Sequence, residues 1–313
     1  MKISSLGFCL ALSSAPAFAQ VAAPNVAPLP APKLATVTPF ITGLKEPQGL
    51  AYEYSGNFWV CDYGAGEILK FDREGKPLGK LATGLNGPSA IVSRVSYQEG
   101  QLKDVTGSVF VAERGANRVI RIDKTGAITP LGGEIPEPLG LARTGLDGLM
   151  VLSRTSSQVY RWENLHHYSF TSPLAIDAKG QWKLIYSAPP AEAPRLQFRW
   201  LADDSFRAGA HGDNDVFFAS DEANQRVSMV SLSGRVAPFA SGISNPSGLV
   251  IGPDKMFYVT NEANGGQLIR INNNGEKTIV AEKLGRPSSI LFLDAKTALV
   301  SNRDGNIWKI ALL

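Results

Sequence analysis

Apolar and polar positions alternate along this chain in short bursts, and the bursts repeat. The clearest copy begins at Val111-Ala112-Glu113, an apolar stub that ends in an acid. A polar turn follows, then the alternating run Arg118-Val119-Ile120-Arg121-Ile122, and Gly126 closes a second turn. This pattern predicts strand, turn, strand, turn. Val60-Cys61-Asp62 leads in the same way to Ile68–Phe71 and Gly75, and Ala219-Ser220-Asp221 to Arg226-Val227 and Gly234. The glycine stands at the same offset from the acid in all three copies. No segment carries a sustained helical period.

Two anchors measure the repeat. One is a proline before an apolar strand: Pro47, Pro88, Pro138, Pro194, Pro246 and Pro287. The other ends the next apolar strand: Asp62, Glu113, Ser153, Asp221, Asn261 and Asn302. Their separation is identical in four repeats, from 47 to 62, 138 to 153, 246 to 261 and 287 to 302. The longer spans from 88 to 113 and from 194 to 221 imply insertions of about 10 and about 12 residues in the second and fourth repeats. A third insertion, of about 15 residues, falls in the third repeat. A unit of about 41 residues without helical periodicity accommodates four strands. Six such units predict an all-β fold, a six-bladed β-propeller with four-stranded blades. The stretch from Pro287 to Leu313 is long enough for only three of them. The N-terminal stretch Val37–Leu44 copies Val236–Ile243, so the N-terminal strand is expected to close the last blade as its outermost strand. The fourth repeat fits worst, because Leu196, Phe198 and Trp200 run one residue out of register after Pro194.

The repeats occupy residues 36–313 and leave a different kind of sequence before them. Lys2, the apolar stretch Ile3–Leu12 and Ala17-Phe18-Ala19 read as a cleavable signal peptide over 1–19, cut after Ala19. Phe8 before Cys9 does not suit a lipoprotein signal. Residues 20–35, with Pro24, Pro28, Pro30 and Pro32 among alanines, read as a disordered linker. The expected product is periplasmic or secreted, monomeric and not inserted in a membrane. Formal charge is +3, or +2 once Lys2 is removed, and supports no case for nucleic acid. Cys61 is the one cysteine left after cleavage, so no intramolecular disulfide is expected, and its place in an apolar strand predicts burial.

The series Pro-x-Gly-Leu, Val-x-Asp, Asn-x-Arg-Val-x-Arg-Ile-Asp and Gly resembles the NHL repeat and its six-bladed relatives, the SMP-30/gluconolactonase-like proteins and virginiamycin B lyase. The resemblance implies the propeller architecture over about residues 36–313. In the gluconolactonase-like relatives, metal-binding carboxylates and an amide stand just after the anchor proline or its equivalent. Here those positions hold Gln48, Ser89, Leu139, Arg195, Ser247 and Ser288, and Glu46 sits in a different register. Virginiamycin B lyase-like chemistry needs a histidine near the end of the propeller, and none follows His211.

Both anchors fall on one rim, the top, and the three insertions on the opposite rim. The top rim therefore carries the positions after each proline and those at and after the second anchor. Concave polar openings of this kind bind ligands. The expected ligand-binding residues are Gln48, Ser89, Arg114, Arg154, Arg195, Ser247, Ser288 and Arg303, for a small polar or anionic molecule or a protein partner, without a cofactor and without catalysis. The alternative is a hydrolase or lyase using Asp62, Glu113 or Asp221, or a divalent cation held in a non-standard way. His211, Asp213 and Asp215 are the one local cluster of metal-binding types, and read first as a tight turn. His166-His167 reads as an exposed loop, and the bottom-face insertions as an alternative docking surface.

Overall fold

The computed structural model describes residues 35–53, 56–93, 96–98, 101–103, 108–144, 148–155, 157–163, 181–187, 196–203, 216–231 and 234–313. After β1 (Ala35–Ile41), blade one holds β2 (Pro47–Tyr52), β3 (Phe58–Asp62), β4 (Glu67–Phe71) and β5 (Pro77–Ala82). Blade two holds β6 (Pro88–Ser93), β9 (Val109–Glu113), β10 (Arg118–Ile122) and β11 (Ile128–Leu131), with the hairpin β7 (Ser96–Gln98) and β8 (Gln101–Lys103) inserted after its first strand. Blade three runs β12 (Pro138–Thr144), β13 (Gly148–Ser153), β14 (Gln158–Glu163) and β15 (Gln181–Tyr186). Blade four runs β16 (Phe198–Asp203), β17 (Val216–Asp221), β18 (Arg226–Ser231) and β19 (Val236–Ser241). Blade five runs β20 (Pro246–Ile251), β21 (Phe257–Asn261), β22 (Gln267–Ile271) and β23 (Lys277–Glu282). Blade six runs β24 (Pro287–Asp294), β25 (Thr297–Asn302) and β26 (Asn306–Leu312).

Each blade is a four-stranded antiparallel sheet in chain order, except that β1 is the fourth strand of blade six, paired antiparallel with β26. The innermost strands form a ring in which β2 packs on β6, β6 on β12, and so on to β24, which packs back on β2. The molecule is thus a six-bladed β-propeller of the all-β class, closed by its own N-terminal strand as the sequence predicts. Among the described residues no helix is long and apolar enough to cross a membrane.

The apolar runs at the second anchors are continuous rather than alternating because both faces of those strands are buried. Phe58 and Val60 face the seam with blade six, while Trp59 and Cys61 face the seam with blade two. Six such cores, one in each seam, hold the ring together. Where innermost strands come closest, glycine clears the way: a Cβ on Gly248 would lie 2.1 Å from the Ser288 carbonyl oxygen. The glycines that close the turn after each of the three repeated phrases are left-handed, with φ of 87° at Gly75, 88° at Gly126 and 90° at Gly234, a region glycine enters at no steric cost.

The registers Pro47–Asp62, Pro88–Glu113, Pro138–Ser153, Pro246–Asn261 and Pro287–Asn302 pair the two anchors directly. Blade four departs from the expectation. Asp221 pairs with Phe198, so Phe198 occupies the anchor place assigned to Pro194. Its N–H donates to Ser157 Oγ at 3.2 Å, a bond that proline cannot make, and its ring is buried in the seam with blade three. With the anchor moved from Pro194 to Phe198, the insertion in blade four is smaller than the sequence implied.

Candidate functional site

The acids at the second anchor organise turns. Asp62 is buried and accepts from the Lys45 and Glu46 N–H groups at 2.9 and 2.8 Å. Glu113 accepts from the Asn86 N–H at 2.7 Å and from Arg118 Nε at 2.6 Å. Asp221 accepts from Asn224 Nδ2 at 2.8 Å, Ser228 Oγ at 3.1 Å and Arg226 Nε at 3.2 Å. Their oxygens are therefore spent on the loops that join neighbouring strands. None of the three lines the central opening.

The next residue is fixed by the backbone. Its N–H donates to the carbonyl just before the first anchor: Tyr63 to Glu46 (3.0 Å), Arg114 to Gly87 (2.9 Å), Arg154 to Glu137 (3.0 Å), Glu222 to Gln197 (2.8 Å) and Arg303 to Arg286 (2.9 Å). This tie between inner and second strand sets the side chains of that position around the top of the axis. The residue after each first anchor forms the inner ring below them.

Together the two rings enclose a cavity of about 120 Å³, lined by Glu46, Gln48, Arg114, Leu139, Arg154, Arg199, Trp200, Ser247, Ser288 and Arg303. Gln48 Nε2 donates to Glu46 Oε1 at 3.0 Å. Arg199 clamps Glu222 through Nε and Nη2 at 2.5 and 2.6 Å. Arg303 pairs with Glu262, and Arg114 reaches Glu137 at 3.5 Å while lying 6.0 Å from the Tyr63 ring centre. Among the described residues the Arg154 guanidinium makes no ion pair.

The arginines feel one another. Burial lowers the Arg303 pKa and the like charge of Arg199 lowers it further, against the pull of Glu46, Glu222 and Asp304. The Arg199 hydrogen bonds hold the Glu222 carboxyl below its ordinary range in spite of burial, with the charges of Arg199, Arg154 and Arg303 adding to the effect. Cations on three different blades therefore act on one carboxylate.

Of the residues expected from sequence to bind a ligand, Gln48, Arg114, Arg154, Ser247, Ser288 and Arg303 line this cavity. Ser89 does not: it is buried, and its hydroxyl donates across the seam to the Pro138 carbonyl at 2.9 Å. Arg195 lies outside the described residues, as do His211, Asp213, Asp215 and the His166-His167 pair. Arg199, Trp200 and Glu46 are lining residues that the sequence reading did not assign. For Arg199 the sequence signal is only the poor fit of blade four; the pairing of Phe198 with Asp221 is what places it just after the anchor.

The cavity does not fit a divalent cation. Such an ion needs several anionic or carbonyl oxygens, and the lining offers one carboxylate against four guanidiniums. Among the described residues no group of three or more His, Cys, Asp or Glu side chains could hold a metal.

No family model and no curated protein sequence matches the chain. Solved structures do. A gluconolactonase from Xanthomonas campestris is 13% identical with a TM-score of 0.66, over 89% of this chain and 90% of that one. A streptogramin B lyase is 14% identical with a TM-score of 0.61, over 90% and 98%. Virginiamycin B lyase from Staphylococcus aureus is 15% identical with a TM-score of 0.57, over 89% and 99%. These neighbours are gluconolactonase-like and lyase propellers, and at such identities the likeness is one of fold. The NHL-repeat name draws no support from a family model.

Proposed function

We propose that this chain is an exported, non-catalytic propeller whose top-face cavity binds a small polar or anionic molecule or a loop of a protein partner. The observation that carries the reading is the convergence of four guanidiniums, an amide and two hydroxyls on one opening. Guanidinium is the side-chain group best shaped for carboxylate or phosphate, because its planar fork donates two parallel hydrogen bonds. Export rests on the sequence of the signal-like segment 1–19. Calorimetric titration with a panel of small carboxylates, phosphates and neutral sugars tests the reading. Anions are expected to bind, and Arg199→Ala with Arg303→Ala to lose at least tenfold in affinity. Unchanged affinity in the double variant would sink the assignment.

A hydrolase or lyase reading draws its support from the gluconolactonase and lyase neighbours. One lyase neighbour, solved with quinupristin, is described as catalytically inactive with a histidine replaced by alanine. The histidines of this chain are His166, His167 and His211, and the acid available in the cavity is Glu46. Screening lactones and esters with and without calcium, zinc or manganese separates the two readings. Turnover that disappears in Glu46→Gln would replace binding by catalysis.

A further inference from the structure

A guanidinium carries five N–H donors. Arg199 spends two on Glu222, Arg303 one on Glu262, Arg114 one on Glu137, and Arg154 none among the described residues. Roughly sixteen guanidinium N–H groups thus remain around the cavity. The side-chain acceptors in the lining are few: Glu46, already engaged by Gln48, the Gln48 amide oxygen and the hydroxyls of Ser247 and Ser288. A ligand that fills the cavity covers the donors it touches and must meet them with acceptors of its own, because a donor buried without a partner is costly.

Charge alone does not make the same demand. The four arginines face Glu46, Glu137, Glu222 and Glu262, so the ring with its partners is formally neutral. A spherical monoanion would gain little from it. An anion with several oxygens gains a hydrogen bond for each donor it meets. The cavity of about 120 Å³ has room for roughly four waters at about 30 Å³ each, which limits the ligand to a small molecule.

Building on the anion reading, we infer that the cavity selects a small multivalent oxyanion, one presenting four or more acceptor oxygens as a phosphate or a dicarboxylate does. Arg154, whose guanidinium makes no ion pair among the described residues, is the anchoring residue. Glu222 is the specificity residue, because neutralising the ring is what turns simple monoanions away.

Calorimetry on the folded chain at matched ionic strength tests this with four probes: chloride, acetate, malonate and inorganic phosphate. Malonate, phosphate or both bind at least tenfold more tightly than acetate and chloride, and the preferred one of the two identifies the source of the oxygens. Arg154→Ala removes at least tenfold of that affinity. Glu222→Gln raises acetate and chloride binding at least fivefold; if that variant does not fold, as judged by circular dichroism, Glu262→Gln makes the same test. Equal affinity for all four probes, an indifferent Arg154→Ala, or a glutamine variant with unchanged preference overturns the inference and leaves the anion reading standing. No binding of any probe to folded protein removes both.

Discussion

Asp221 has no exposed surface and holds Asn224, Arg226 and Ser228 at once. Removing it leaves Arg226 facing a buried gap without its counter-charge, and breaking a buried pair in this way costs about 3 kcal/mol or more. Asp221→Ala is therefore expected to lose about that much stability by denaturant unfolding, while a ligand bound in the cavity keeps its affinity within about twofold. A larger loss of affinity than of stability would return Asp221 to the catalytic candidates. Cys61 makes a second case. Burial, helped by the charge of Asp62, raises its thiol pKa well above the ordinary value, so almost no thiolate exists at neutral pH. Peptide mapping after alkylation at pH 8 is expected to find Cys61 unmodified in native protein and modified after unfolding. Both roles were legible in the sequence, because an acid ending a doubly buried strand and a cysteine inside one have few other places to go. Arg199 was not assigned, because Pro194 supplies a plausible anchor too early in the chain and only the pairing of Phe198 with Asp221 exposes it.

At the level of strands, the repeat interval carried the fold, and it did so through its exceptions as much as its regularity. Blade six lacked a fourth strand in sequence order, and β1 fills the place against β26 from Ala35–Leu312 to Ile41–Ile307. Removing residues 1–34 is expected to leave the melting temperature unchanged. Removing residues 1–41 bares the β26 edge and takes Ile41 from the seam with blade one, so loss of monomer is expected on size-exclusion chromatography. Blade four is the complementary exception. Proline serves as the anchor in five blades, yet Phe198→Pro is expected to destabilise the protein by about 3 kcal/mol, from the lost core ring and the lost N–H bond to Ser157. Full stability in that variant would mean the anchor place tolerates either residue. Sequence could not reveal this preference, since Ser157 is distant in the chain and meets Phe198 only across a seam.

Across the whole ring, arginine–carboxylate pairs recur on both rims, and they make a joint prediction about acid. Arg199 holds Glu222, Arg286 holds Asp304, Arg270 holds Asp254, and Arg73 reaches from blade one to Asp294 of blade six. The Arg199 hydrogen bond lowers the Glu222 pKa; for the three aspartates burial acts to raise it, and hydrogen bonds and the arginine charges overcome it. A carboxyl whose pKa is lower folded than unfolded stabilises the fold above the unfolded value, about 4. That contribution disappears as pH falls through the lower folded value. The melting temperature is therefore expected to hold level from about pH 8 to pH 5 and to drop below about pH 4. Glu222→Gln is expected to melt lower than the parent at pH 7, with the two curves converging as acid protonates Glu222 in the parent. A difference that stayed constant with pH would mean the Arg199–Glu222 clamp contributes packing and no charge. Glu222, its carboxyl held below the ordinary range chiefly by the Arg199 hydrogen bonds, stays ionised throughout the neutral range. The pH dependence of anion binding between pH 5 and 8 is then expected to follow the titration of the anion, with phosphate gaining affinity as it loses its second proton and malonate changing only near its own second pKa.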